Sequence, residues 1–120
     1  MIRRGDVFFA DMDPVRGREQ SGVRPVVVVS AEFLNRRSLV LMVVMGTSAK
    51  PGAAWYDTNV LVPSAESGLP RDTVFLCFHV RSIDPVRFID PQRGAARRMG
   101  RLPAARMAQI DAALRLALGL

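Results

Sequence analysis

Short apolar runs separated by polar and turn-forming residues recur along the first 85 residues, and a helical pattern follows near the end. Runs of this length, rich in valine and phenylalanine and bounded by Gly, Pro, Asn and Asp, are typical of β-strands. We predict five such segments, the last being one long bent strand or two: Asp6–Asp11, Arg24–Ser30, Ser38–Met45, Thr58–Val62 and Thr73–Ile83. Residues 31–37 (AEFLNRR) have the length of one helical turn, whereas 64–72 (SAESGLPRD) are typical of a loop.

The helical pattern is confined to the C-terminal segment. Pro103 suits a first helical turn and Gly119 suits a C-terminal stop. Between them, four apolar residues recur at the spacing of one helix face, which predicts a helix packed on the strands: Met107, Ile110, Leu114 and Leu118. Short, closely spaced strands with one terminal helix favour a mainly β fold, a small antiparallel barrel in a single domain of residues 1–120.

Charge and composition point to a polyanionic partner. The chain has a net charge of +6, and Lys50 is the one lysine among 17 basic residues. Each phosphate neutralised by such residues releases counterions, which favours nucleic acid as a partner. No apolar run has the length of a membrane span, and the opening MIRRGDVFF lacks the apolar region of a secretory signal. We therefore expect a cytoplasmic protein with no membrane partner, and the lone Cys77 fits a reducing compartment.

Two constellations could carry metal or thiol chemistry, and neither is favoured. Asp11 and Asp13 lie two residues apart and could share a divalent cation, but Asp13 precedes Pro14 and is typical of a turn. No second carboxylate cluster or histidine pair completes a metal site. Cys77 and His79 share strand parity and so a face, but a buried thiol and an outward imidazole near a strand end explain the two residues better than a catalytic pair, which needs a third group to hold the histidine. We predict no metal site and no thiol catalysis.

The remaining polar constellation surrounds the second and third strands. Glu19, Gln20 and Arg24 flank a glycine-containing loop, and Thr47 and Ser48 stand where the third strand is predicted to end. If these strands pair as antiparallel neighbours, the start of one lies beside the end of the other, which brings Arg24 toward Thr47. From the residues alone, a solvated surface arginine and a capped strand are favoured over a functional site as the explanation of this pattern.

Four segments in order extend this picture: RGDVFFADMDPVRGREQSGVRPVVVVS, then GTSAK after an apolar strand, then VRSIDPVRF, then the terminal helix. Together they resemble the MazF/PemK toxins of bacterial type II toxin-antitoxin systems over nearly the whole chain. The resemblance implies an SH3-like barrel with a C-terminal helix, assembled as a symmetric homodimer. It also implies a ribosome-independent endoribonuclease that cuts single-stranded RNA, such as mRNA, at a short sequence and is neutralised by a cognate antitoxin.

The resemblance also implies roles for individual residues. Arg24 and Thr47 match the arginine and threonine that these toxins use at the scissile phosphate. Five further residues are expected to contact RNA, namely the loop pair Glu19 and Gln20, Ser48 beside the threonine, His79 where many relatives have glutamine, and Arg81. In one branch of the family, an Arg-x-Asp pair on the fifth strand supplies acid and base. Residues 76–78 are Leu-Cys-Phe here, so that branch's mechanism does not transfer.

The chemistry of such a cleavage needs no metal or other cofactor. RNA carries its own nucleophile, the ribose 2′-OH, beside the adjacent phosphorus. Arg24 can stabilise charge on the phosphate, but a guanidinium group does not give up its proton in proteins. The general base is left open between Glu19, the best-placed carboxylate, and His79, since imidazole titrates near neutral pH.

Two rival functions and one open role remain. A toxin of the same fold that acts on DNA gyrase commonly carries tryptophan and acidic groups near its C-terminus, whereas this chain ends LRLALGL and has its single tryptophan at Trp55. A non-catalytic SH3-like RNA-binding module is the second rival. Trp55 and Tyr56 either stack on bases, anchor the antitoxin or pack in the core.

Overall fold

The computed structural model describes residues 1–12, 22–37, 39–50 and 56–120. Its strands are β1 (Asp6–Asp11), β2 (Val23–Val28), β3 (Leu41–Ser48), β4 (Asn59–Val62), β5 (Thr73–Ile83) and β6 (Gly100–Arg101). Its helices are α1 (Glu32–Asn35), α2 (Ser64–Ser67) and α3 (Ala104–Leu118), and a 3-10 turn spans Pro85–Arg87. The strands form one antiparallel sheet in the order β4-β5-β3-β2-β1-β6. The predicted mainly β fold with a C-terminal helix is confirmed.

The two faces of the sheet bury separate apolar clusters, because successive side chains of a strand point to opposite faces. The first cluster lies under α3 and includes Val7, Val27, Val44, Phe75 and Ile110. The second cluster lies on the other face and includes Phe8, Ala10, Met12, Val26, Val28, Val43, Met45 and Phe88. The rings of Phe8 and Phe88 stack there with centroids 4.3 Å apart. The sheet therefore separates two apolar cores.

Helix α3 covers the first cluster with most of its predicted stripe. Ile110 is fully buried, and Met107 and Leu114 pack against the cluster at its edge. Leu118 is 57% exposed, so its predicted packing on the strands is wrong. The last turn also exposes Leu116, which shows that the helix passes beyond the cluster before it ends.

Several element boundaries differ from the prediction. The sequence predicts a loop over residues 64–72, but α2 forms there and ends at Ser67, and the following Gly68, with φ of 78°, caps the helix. Strand β3 continues through Ser48, because its polar end pairs with β5. Strand β5 is one strand whose register against β3 shifts between Val44 and Met45, which agrees with the predicted bend. None of the helices in the described ranges is long and apolar enough to cross a membrane.

The buried carboxylate of Asp6 anchors the start of β1. It accepts hydrogen bonds from the backbone N–H of Arg3 at 2.8 Å and from Nε of Arg101 at 2.7 Å. The intervening Gly5 has φ of 93°, a conformation that glycine adopts without strain. The Arg-Gly-Asp opening thus joins β1 to β6.

Candidate active site

The register between β2 and β3, extended beyond its last pair, places Arg24 level with Thr47. The two strands are antiparallel, with Val28 opposite Val43 and Val26 opposite Met45. Two further residues along each strand in this register bring Arg24 opposite Thr47. Pro25 lies between Arg24 and the last paired position, and proline has no N–H to donate to a neighbouring strand. The predicted antiparallel arrangement of these strands is confirmed.

Both side chains also belong to the same face of the sheet. Arg24 alternates with Val26 on β2, and Thr47 alternates with Met45 on β3, and both of these apolar residues lie in the second cluster. On the other side of β2, Arg24 pairs with Ala10 of β1, which is in that cluster as well. Arg24 and Thr47 are half-buried. The pair therefore forms a polar end to an apolar sheet face.

Two hydrogen bonds fix the end of β1 where it lies beside the start of β2. The N–H of Met12 donates to the carbonyl oxygen of Gly22 at 2.9 Å, which closes the pairing of β1 with β2. Nη1 of Arg87 donates to the carbonyl oxygen of Asp11 at 3.1 Å. Arg87 belongs to the VRSIDPVRF segment, but the sequence pattern assigned it no role because this contact spans 76 positions along the chain. Together these bonds set the position at which β2 begins.

Gly46 allows β3 to pack closely beside β5 next to Thr47. A Cβ atom at this position would lie 2.8 Å from Cγ2 of Thr73 and 3.1 Å from the ring of Phe75. Thr47 itself pairs with Val74 of β5. Because Gly46 has no side chain, β3 can pack closely against β5 beside Thr47.

The structure separates the other predicted RNA contacts. Ser48 is exposed and, as the next residue after Thr47 on β3, points to the opposite face. Arg81 pairs with Val43 and shares the face of Thr47, but it lies four residues away along β3, about 13 Å at the rise of a strand. Glu19 and Gln20 lie outside the described residues, so their predicted roles have no structural description.

His79 lies on β5 in the stretch where the register against β3 shifts. Its ring centroid is 4.6 Å from that of Phe78, with the planes tilted by 55°. The side chain is half-buried, which leaves the imidazole accessible at the surface. Tyr56 is 70% exposed and does not pack in the core, whereas Trp55 lies outside the described residues.

Thiol and metal chemistry have little support among the described residues. Cys77 is fully buried, and the loss of solvation raises the pKa of its thiol to about 12. A thiol held protonated in this way is a poor nucleophile.

In the described ranges, no group of three or more His, Cys, Asp or Glu side chains could hold a metal ion. Asp13, one of the two aspartates considered for a metal site, is outside those ranges.

Comparisons with known proteins identify the family of the chain. Residues 3–118 match the family model of the PemK-like, MazF-like toxins of type II toxin-antitoxin systems. The chain is 36% identical to Endoribonuclease EndoA of Bacillus subtilis (strain 168), covering all of this chain and 97% of that protein. Its fold matches MazF of Deinococcus radiodurans with a TM-score of 0.76 and 25% identity, over 99% of this chain and 97% of that one. It matches a mycobacterial endoribonuclease, solved in complex with its cognate antitoxin, with the same TM-score and 22% identity, over 100% and 97% of the two chains. The chain therefore belongs to the PemK-like, MazF-like family of type II toxins.

Proposed function

We propose that this chain is a sequence-specific, ribosome-independent endoribonuclease that cuts single-stranded RNA as the toxin of a type II toxin-antitoxin system. The family match and the identity to a protein named an endoribonuclease support RNA cleavage as its activity. The observation that carries the proposal is the level placement of Arg24 and Thr47 on one sheet face. These are the two residues that the family resemblance assigns to the scissile phosphate.

Cleavage proceeds by attack of the ribose 2′-OH on the adjacent phosphorus, with departure of the 5′-oxygen and formation of a 2′,3′-cyclic phosphate. Arg24 donates charge-assisted hydrogen bonds to the non-bridging oxygens as negative charge develops on them. The Thr47 hydroxyl donates to the same phosphate or orients the 2′-OH. Because the substrate supplies the nucleophile and the two side chains supply the donors, the step requires no metal or other cofactor.

Proton transfer at the 2′-OH requires a general base, for which Glu19 and His79 are the two candidates. The family resemblance assigns Glu19 to the RNA-covering loop, and its carboxylate is a possible proton acceptor, as is the imidazole of His79. The remaining contacts to RNA are assigned to Gln20, Ser48 and Arg81. The net charge of +6 supports electrostatic attraction of the RNA backbone to this surface.

The same proposal includes the assembly in which the toxin acts. We assign residues 1–120 to one domain that works as a symmetric homodimer in the cytoplasm, where a cognate antitoxin neutralises it. Antitoxin complexes are known for structural neighbours, including a mycobacterial endoribonuclease and MazF of Deinococcus radiodurans. The match of this fold to those chains supports an equivalent complex here.

The direct experiment incubates purified protein with a long single-stranded RNA in EDTA and maps the ends of the products. We expect discrete fragments with 2′,3′-cyclic phosphate ends at a recurring short sequence. A second RNA carries one 2′-deoxyribose at a mapped cleavage position, and we expect that bond alone to survive while the other sites are still cut. Activity only with added magnesium would contradict the metal-free step. RNA binding without cleavage, or inhibition of DNA gyrase without cleavage, would support one of the rival functions.

A further inference from the structure

A cavity of about 210 Å³ opens on the face of the sheet that carries α3, close to the candidate active site. Its apolar walls come from Phe9, Pro25, Leu69 and Pro70, and the exposed side chains of Ser48 and Arg71 lie at its rim. Phe9 is half-buried and packs at the edge of the first apolar cluster. None of these residues except Ser48 has a role in the cleavage step described above.

The chain connects this cavity directly to the catalytic pair. Pro25 follows Arg24 on β2, and Ser48 follows Thr47 on β3. Neighbours along a strand point to opposite faces and are about 3.3 Å apart along it. Because β2 begins and β3 ends at this point, the cavity and the pair lie on opposite sides of one end of the sheet. An RNA strand whose phosphate contacts Arg24 and Thr47 can cross that end and present a neighbouring nucleotide to the cavity.

The chemistry of the cavity fits an unpaired nucleobase. An aromatic ring and two prolines provide flat apolar surfaces of the kind on which bases stack, and the Arg71 guanidinium can pair with a phosphate or with a base edge. A paired base cannot enter such a site, which agrees with a single-stranded substrate. The positive rim and the net charge of the chain favour RNA over an apolar side chain of a protein partner.

A second cavity, of about 320 Å³, lies beside the first. It shares Phe9 and Pro70 with the first and extends to Gln92 and Arg97. Nε of Arg97 donates to the carboxylate of buried Asp90 at 3.0 Å, which holds this wall in place. The second cavity leads toward the segment that contains Arg93, Arg97, Arg98 and Arg101. Arg97 pairs with Asp90, and Arg98 and Arg101 pair with Asp6, so part of this charge is balanced within the protein. All four side chains are exposed, which leaves them accessible to a phosphate backbone.

We propose that the cavity beside Phe9 binds one unpaired base of the RNA substrate next to the scissile phosphate, and that Phe9 and Arg71 set the sequence preference at that nucleotide. This inference rests on the proposed endoribonuclease function. Phe9 is the stacking platform, and Arg71 contacts the phosphate or edge of the same nucleotide. Both are specificity-determining residues, since neither touches the reacting atoms.

The test uses RNAs that contain the mapped cleavage sequence, with an abasic ribose introduced at each position in turn. For the wild type, we expect one position near the cleaved bond at which loss of the base lowers kcat/KM by roughly tenfold or more, the range measured for base stacking on aromatic side chains. Phe9→Leu keeps an apolar side chain but removes the ring. Phe9→Leu should cut the intact RNA more slowly than the wild type does. It should cut the RNA that lacks this base at the same rate as the wild type cuts that RNA.

Two further variants make the test independent of any loss of stability in Phe9→Leu. Arg71→Gln changes an exposed side chain and should reduce the penalty at the same position. Arg37→Gln removes an equal charge just after α1, at the far end of β2 and β3, and should leave every abasic penalty unchanged. Suppose that the wild type cuts RNA, but that Phe9→Leu and Arg71→Gln lose as much kcat/KM as the wild type does when each base is removed. The base site is then refuted and the nuclease function stands. The base site is also refuted if the two variants bind an antitoxin peptide more weakly while the effect of each missing base on kcat/KM stays as in the wild type. If the wild type cuts no RNA, the proposed nuclease function itself is refuted.

Discussion

The register of β2 and β3, continued by two residues beyond its last pair, Val26 and Met45, places Arg24 opposite Thr47 on one face of the sheet. A guanidinium and a hydroxyl placed this way can donate to different oxygens of one phosphate. Their backbones belong to strands and not to a loop, so the donors need little reorganisation when charge develops on the substrate.

Replacing Arg24 with lysine tests the geometry of this contact. Lysine keeps the charge but loses the planar fork that pairs with two phosphate oxygens. We expect the single-turnover cleavage rate to fall by roughly tenfold or more, in line with the worth of hydrogen bonds to charged groups. Arg37→Lys is the matched control and should cleave at the wild-type rate. A wild-type rate in Arg24→Lys would show that charge alone is sufficient.

The pH dependence of cleavage tests the role of His79. The family resemblance places glutamine at this position in many relatives, and glutamine cannot transfer a proton. We therefore expect His79→Gln to change KM for RNA while the limbs of the pH–rate profile stay where they are in the wild type. If one limb disappears, His79 moves the proton and Glu19 is not required as the base.

The sequence pattern predicts the bounds of β1 and β5 correctly, because each is an apolar run that ends at turn-forming residues. It also predicts correctly that β2 and β3 are antiparallel neighbours, whereas the contact of Arg24 and Thr47 with one phosphate stays a prediction. The end of β3 was missed because Thr47 and Ser48 interrupt the apolar run, and only their pairing with β5 keeps them in the strand. Strand β6 has two residues and exists through its long-range pairing with β1, for which local sequence carries no signal.

The cavity beside Phe9 was not predicted for a related reason. Its walls come from β1, β2 and the segment after α2, which meet only in the folded chain. Phe9 and Pro25 are typical strand residues, and no local pattern distinguishes a ring that lines a cavity from one that fills the core.

Gly46→Ala tests how closely β3 must approach β5 beside Thr47. The added methyl group would overlap Cγ2 of Thr73 and crowd the ring of Phe75. We expect a loss of about 1–3 kcal/mol in the free energy of unfolding, together with a slower cleavage rate because Thr47 is displaced. Thermal unfolding and single-turnover cleavage measure the two effects. Unchanged stability would mean that the neighbouring side chains adjust without cost.

The carboxyl group of Asp90 should make the folding stability of the protein depend on pH. Its side chain is 3% exposed, and hydrogen bonds from the backbone N–H of Gln92 and from the Arg97 guanidinium lower the pKa of its carboxyl group below the ordinary 3.8. A lowered pKa in the folded state stabilises the protein above the ordinary value, and that contribution is lost as the pH falls through the folded-state pKa.

Asp90→Asn should therefore unfold at a lower temperature than the wild type at pH 7, and the difference should shrink as the pH falls below about 4. Asp84→Asn is a suitable control, since Asp84 is an exposed aspartate that caps the 3-10 turn. If the unfolding temperatures of Asp90→Asn and the wild type differ by the same amount from pH 7 to pH 3, the ionised carboxylate is not the source of the difference.

The most direct test of the proposed active site is the single-turnover rate of RNA cleavage by Arg24→Ala and Thr47→Ala, with folding verified by thermal unfolding. Each variant should retain the fold, because both side chains are half-buried at the end of the sheet and lie outside its apolar clusters. Each should lose roughly 100-fold or more in rate, the cost of removing one donor to a developing oxyanion. Cleavage at the wild-type rate by either folded variant would contradict the assignment of that residue to the scissile phosphate.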